Sequence, residues 1–238
     1  MSTSIPSNSQ SNYSQEFSKN IDAAVDFRYQ DLISYQNKSY AEKYKNLLHA
    51  VKICEGRVFK ESSELHREVA ISYYKLLAYK DEYEVARLFT DGRFKSEIKN
   101  QFEGNFSWHF HLAPPLLAKR DPATGQLQKN LYGPKMFHIF NIIKHLKFLR
   151  HTPFDLFGWS QERKKERQLI LEFERDINFI LTNLSPDNYR TAIEIAKLPQ
   201  KIRGFGHVKE KTISVFEQEK TILFRSFNHS NLKHRAAE

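Results

Sequence analysis

From Val25 onward the apolar side chains recur mostly at three- and four-residue spacing, the period of one helix face. Leu32, Tyr40, Tyr44, Leu47, Leu48 and Val51 predict helices from Val25 to Ser34 and from Tyr40 to Ile53. Leu65, Val69, Tyr73, Leu76, Leu77, Tyr83 and Phe89 then predict one further helix, with Ser63 as its cap and Asp91-Gly92 as its end. The period changes at Phe106. Phe106, Trp108, Phe110 and Leu112 alternate with Ser107, His109 and His111, as on a half-buried strand. Pro114-Pro115 stops that strand, Asp121-Pro122-Ala123-Thr124-Gly125 is a turn signal, and Leu127 to Tyr132 is the expected return strand.

The helical period then resumes. Pro134 suits a first helical position, and Met136, Phe137, Phe140, Ile143 and Leu146 line that helix. Thr152 to Trp159 reads as a loop. Ser160 caps a long helix through Leu184, and Ser185-Pro186-Asp187 opens a shorter one. Pro199 discourages helix at Leu198. After Gly204-Phe205-Gly206 a last helix runs from about Val208 to Phe227. The expected fold is mainly α: a multi-helix domain over 21–227 with one short β-hairpin insertion. Residues 1–20, rich in Ser, Asn and Gln, are expected to form a disordered polar tail, and 228–238 a frayed one.

Composition narrows the class. The 238 residues suit one large domain or two small ones, and 40% hydrophobic with 13% aromatic residues suffices for a core. A formal charge of +9 has two readings, a solvated lysine-rich surface or a face for an acidic partner. Acidic residues are interspersed throughout, which argues against a dedicated nucleic-acid stripe. Cys54 is the sole cysteine, so neither an internal disulfide nor a cysteine-ligated cluster can be built from this chain. No apolar run reaches the roughly 18 residues of a membrane span, and the cytoplasm is the expected compartment.

Three segments hold the candidate chemistry. His109 and His111 project from one strand face, as two zinc ligands would, or form a polar face opposite Phe106, Trp108 and Phe110. Tyr79, Asp81, Glu82, Glu84 and Arg87 are dense in charge. Asp81 and Glu84 could do acid–base work, or Tyr83 packs inward while Glu84 pairs with Arg87 on a structural or docking surface. Arg203, Gly204, Gly206, His207 and Lys209 surround a tight turn ahead of a helix. That turn reads as an anion site or as a plain left-handed turn, and it is neither a Walker loop nor a dinucleotide fingerprint. The basic runs Lys144 to His151 and Arg163 to Arg167 could face phosphate or an acidic protein, but the first interleaves with core positions of an amphipathic helix, so a solvated helix face explains it.

The segments Leu77-Ala78-Tyr79-Lys80-Asp81-Glu82-Tyr83-Glu84-Val85-Ala86-Arg87-Leu88, His111-Leu112-Ala113-Pro114-Pro115-Leu116-Leu117-Ala118 with Arg120 to Gly125, and Ile202-Arg203-Gly204-Phe205-Gly206-His207-Val208-Lys209-Glu210 carry a likeness in this order. They resemble the C-terminal region of the long-chain indolepyruvate ferredoxin oxidoreductases, from about Ala24 onward. The resemblance favours His111 over His109. It implies an accessory domain or split subunit of a 2-oxo acid:ferredoxin oxidoreductase, or else the product of a truncated gene. Its complex would convert an aryl-2-oxo acid, coenzyme A and oxidised ferredoxin to acyl-CoA, carbon dioxide and reduced ferredoxin. Thiamine diphosphate and iron–sulfur clusters would belong to a partner catalytic chain, with none bound here, and ferredoxin is a further implied partner. A stand-alone basic module for protein or nucleic acid, or a gene fragment without function, is the competing expectation.

Overall fold

Two asparagines start the helical body. Asn20 Oδ1 accepts from Ala23 N (3.1 Å) and opens α1 (Ile21–Tyr35). Asn37 Oδ1 accepts from Tyr40 N (2.9 Å) and opens α2 (Lys38–Val58). Each side chain satisfies an N–H that has no partner within its own helix. The computed structural model of the chain describes residues 20–101, 107–112, 128, 130–204 and 206–237. Of the polar tail expected over residues 1–20, all but Asn20 lies outside them, as do the Pro114-Pro115 and Asp121–Gly125 signals. After α3 (Glu64–Leu77) follow α4 (Glu82–Thr90), α5 (Arg93–Gln101), β1 (Phe110–Leu112), β2 (Asn130–Tyr132), α6 (Met136–His145), α7 (Gln161–Asn183), α8 (Tyr189–Lys197) and α9 (His207–Ala237). Short 3-10 turns occupy Leu146–Leu149, Phe157–Trp159 and Leu198–Lys201. The class is mainly α with one small antiparallel hairpin, as the patterning implies. Phe110 faces Tyr132 and Leu112 faces Asn130.

The chain divides into two compact units. Unit 1 joins the described residues up to Ala78 to those from Lys165 onward, and unit 2 is Tyr79–Lys164. In unit 1, the α2 stripe Tyr40, Tyr44, Leu48 and Val51 is buried with Leu65, Val69, Tyr73 and Leu77 of α3. Ile177, Ile180, Ile193 and Leu198 join the same core. Covering one such side chain is worth about 1.5–3 kcal/mol before entropy is charged against it. Unit 2 is built on rings. Ala86, Phe110, Met136, Phe137 and Phe140 form its core, with Phe89, Trp108, Leu112, Tyr132 and Ile143 against it. Phe110 meets Phe137 and Phe140 edge-to-face at 5.0 and 5.3 Å, the favoured geometry for aromatic pairs.

Several local expectations need correction. Ser63 sits at the N-cap of α3 but makes no capping bond. Glu55, fully buried, takes that role: its two oxygens accept from Leu65 N (2.8 Å) and His66 N (2.9 Å). The helix expected to run unbroken from Ser63 to Asp91 is two helices. The Leu77 carbonyl accepts from Tyr40 Oη (2.9 Å), and Asp81 Oδ1 accepts from Glu84 N (2.9 Å), so Asp81 begins a new helix instead of extending the old one. Pro134 lies two residues ahead of α6, where its carbonyl accepts from Phe137 N. Asn188, not Ser185 or Asp187, stands at the N-cap of α8, and its Oδ1 accepts from Ser185 N. Leu198 keeps right-handed helical angles despite Pro199, because a buried site for its side chain outweighs the steric preference. α9 continues past Phe227 through the stretch expected to fray.

Candidate functional site

The charge-dense segment of unit 2 folds onto a second segment distant in sequence. Asp81 and Arg150, both buried, pair in bidentate fashion, Nε to Oδ2 at 2.6 Å and Nη2 to Oδ1 at 2.8 Å. Two parallel charge-assisted bonds fix both orientation and distance. Arg150 had read as part of a solvated basic face. The structure corrects this, because α6 and the turn after it carry the guanidinium inward onto the cap of α4. Asp155 closes the neighbouring loop. It accepts from Tyr83 Oη (3.1 Å), His151 N (3.1 Å) and Gly158 N (3.0 Å). His151 holds φ 67°, a left-handed angle that costs a non-glycine residue about 1 kcal/mol or more.

The remaining motif residues are engaged around this core. Tyr83 is buried, and that burial, then the Asp155 carboxylate beside its hydroxyl, pushes its pKa well up. Glu84 pairs with Arg87 through two bonds of 2.8 and 2.7 Å, as the spacing implies. The Tyr79 hydroxyl lies 3.1 Å from His151 Nε2. Glu82 Oε2 is buried without a hydrogen bond, with Arg163 Nε 3.5 Å away. Burial pushes the Glu82 carboxyl up, and the Arg163 guanidinium pulls against it. Arg150, His151, Asp155 and Arg163 are the members that sequence reading missed. Local pattern could not distinguish a buried arginine from its exposed neighbours.

His111 lies elsewhere in unit 2, exposed on β1 beside the buried Phe110. His109 Nε2 lies 3.1 Å from Ser107 Oγ. Among the described residues no three His, Cys, Asp or Glu side chains converge to hold a metal ion.

The glycine turn belongs to unit 1. Gly204 and Gly206 have φ 88° and 54°, the left-handed angles expected of them. A Cβ on Gly204 would stand 2.6 Å from Val208 Cγ1. Thr212 closes the turn, its Oγ1 within 3.2 Å of Arg203 N and 3.1 Å of Arg203 O. Phe205 lies outside the described residues, and His207 opens α9. Lys209 pairs with Glu166. Lys75, absent from the sequence reading, donates to the carbonyls of Gln200 and Ile202, both at 2.8 Å. Burial, then the charges of Arg203 and Lys209, pull the Lys75 amine down to about 8. The candidate residues thus fall into separate groups: Tyr79, Asp81, Glu82 and Arg87 in one cluster, His111 apart from it, and Arg203 to Lys209 in the other unit.

Among the described residues no helix is long and apolar enough to cross a membrane. No curated protein and no solved structure matches the chain. The model of a family of unknown function, DUF6537, matches residues 21–221. With most of its length covered by that match, the chain is a member of the DUF6537 family.

Proposed function

We propose that this chain is a non-catalytic accessory domain, or a split subunit, of an indolepyruvate-type 2-oxo acid:ferredoxin oxidoreductase. It supports oxidative decarboxylation carried out on another chain. Thiamine diphosphate and iron–sulfur clusters belong to that catalytic chain, and ferredoxin is the electron acceptor of the complex. The observation that carries the reading is the engagement of the Tyr79–Arg87 motif. Asp81, Glu84 and Arg87 are held in internal ion pairs, and Asp81 also caps a helix. Groups held in this way shape a scaffold, whereas acid–base chemistry needs a carboxylate free to exchange its proton. The basic balance of the chain suits a complex that must also receive an acidic electron carrier.

Co-expression with the thiamine- and cluster-bearing chain of the same source tests this. A single co-eluting species is expected on size exclusion at micromolar concentration. The complex should show 2-oxo acid-dependent reduction of ferredoxin that neither part sustains alone. Two separate peaks, or stoichiometric thiamine diphosphate or iron on the isolated DUF6537 chain, would overturn it.

A further inference from the structure

Unit 2 leaves six large apolar side chains uncovered within one short stretch of sequence. Ile139, Ile142, Phe148, Phe154, Leu156 and Trp159 are between 47% and 74% exposed. They are six of the fourteen exposed large apolar side chains among the described residues, and all fall within 139–159. The inward face of α6 is already occupied, since Met136, Phe137 and Phe140 fill the ring core and Ile139 and Ile142 lie off that stripe. The stretch contains one carboxylate, Asp155, and that one is buried. Its other charges are cationic: Lys144, Lys147 and the buried Arg150. Crowding by Arg150 and Arg87, after burial, lowers the Lys147 amine.

This stretch is fixed from within. Arg150 is clamped by Asp81, and Asp155 ties Tyr83, His151 and Gly158 together. Tyr83 also meets Phe157 edge-to-face at 5.2 Å. A held surface loses little conformational freedom on binding, so more of its contact energy appears as affinity. We propose that the 139–159 face of unit 2 is the docking surface for the catalytic chain, and that it meets an apolar patch rimmed by Asp and Glu side chains. The inference rests on the accessory role proposed for the chain.

Chemistry favours a protein over other occupants. Three of the six side chains are aliphatic, and aliphatic groups cannot stack on bases as a single-strand platform requires. Two lysines would contribute only about 2 kcal/mol of attraction to an anionic lipid surface, short of the roughly 4–8 basic residues of a lipid-recognition cluster. At these exposures the three aromatic side chains alone offer on the order of 400 Å² of surface to cover. With the aliphatic side chains added, the exposed apolar area of the stretch approaches the roughly 800 Å² that each partner contributes to a stable interface. With no exposed carboxylate of its own, the face complements an acidic rim.

The test uses the full chain, the matching catalytic chain and three variants: Phe154→Ser/Trp159→Ser, Lys144→Glu, and Ile222→Ser as an exposed apolar control on α9 in unit 1. Titration calorimetry reads the Kd, and circular dichroism verifies that melting is unchanged. The double variant should weaken binding about 100-fold, as loss of two aromatic anchors does. Lys144→Glu should weaken it about threefold with altered salt dependence, and Ile222→Ser should bind as wild type does. If wild type binds and the double variant binds within about twofold of it, this surface is the wrong one while the accessory role stands. If wild type does not bind at all, the accessory role itself fails and takes the inference with it. Self-association of wild type abolished by the double variant, or sedimentation with phosphatidylserine vesicles lost in that variant, assigns the face to a second copy or a membrane and overturns the proposal.

Discussion

Two buried carboxylates, Glu55 in unit 1 and Asp81 in unit 2, are answered in different ways. In unit 1, Glu55 receives neutral donors: two main-chain N–H groups and the Tyr189 hydroxyl at 2.6 Å. In unit 2, Asp81 and Glu84 receive guanidinium groups. Neutral donors divide the stabilisation of Glu55 among several bonds. A guanidinium concentrates it in one partner, whose loss leaves a desolvated anion. The tyrosine and the helix start that serve Glu55 are structural parts already in place. The arginine that serves Asp81 ties the segment that carries it to the start of α4.

The sharpest test of that contrast is Arg150→Met. It should lower unfolding free energy in urea by about 3–5 kcal/mol, the usual result of orphaning a buried charge. Asp81→Leu added to Arg150→Met should recover part of the loss, less the cost of the cap that Asp81 provides. Glu55→Gln keeps one acceptor oxygen and should cost about 1–3 kcal/mol. If Glu55→Gln destabilises as much as Arg150→Met, the distinction between distributed and concentrated partners collapses.

A smaller effect is expected at the glycine turn of unit 1. Gly204→Val adds both a left-handed angle and a clash with Val208, and should cost about 2 kcal/mol or more. A Cβ on Gly206 meets no neighbour within 4 Å, so Gly206→Val should cost about 1 kcal/mol, chiefly for the angle. Thermal melts of the two variants, with Val208→Ala added to the first, separate clash from angle. Equal melting of both glycine variants and wild type would remove strain from the account of this turn.

The most gradual effect is with pH, and it belongs to unit 1. His66 is buried beside the Glu55 node, its Nδ1 lacks a hydrogen-bond partner, and burial then Lys52 pull it down to about 4. The unfolded imidazole takes its proton near 6.5, so between about pH 6.5 and 4 the unfolded state binds more protons. Stability is therefore full above that window and falls as pH drops through it, by at most about 1.4 kcal/mol per pH unit. His66→Gln should flatten this part of the profile in pH-dependent urea unfolding. An unchanged slope would place the titrating group elsewhere.

Much of the helical framework was legible because burial follows period. Tyr40, Tyr44, Leu48 and Val51 face the core because the stripe says so, and Ser160 does cap its long helix, accepting from Arg163 N at 3.3 Å. The hairpin was legible in the alternation around Phe110. α5 was not, because only Phe94 and Ile98 are half-buried there, too few apolar positions to make a stripe. The division into two units, and the Glu55 cap, depend on partners that local pattern does not encode. For the candidate site, the sequence indicated the Glu84–Arg87 pair three residues apart. It gave no sign that Asp81 would find Arg150 across a separation of 69 residues.

The chain order of the units bears on how the molecule assembles. Unit 2 is one unbroken stretch, while unit 1 is cut in two by it. The Tyr189–Glu55 bond spans 134 positions, so unit 1 must close a loop containing the whole of unit 2 before its halves meet. A compact insert shortens that loop, and the closure entropy falls accordingly. During synthesis unit 2 can condense as soon as Lys164 has emerged, whereas α2 and α3 wait for α8. Refolding should therefore show the ring core of unit 2 protected from hydrogen exchange before the Glu55 node, with the later step set by long-range closure.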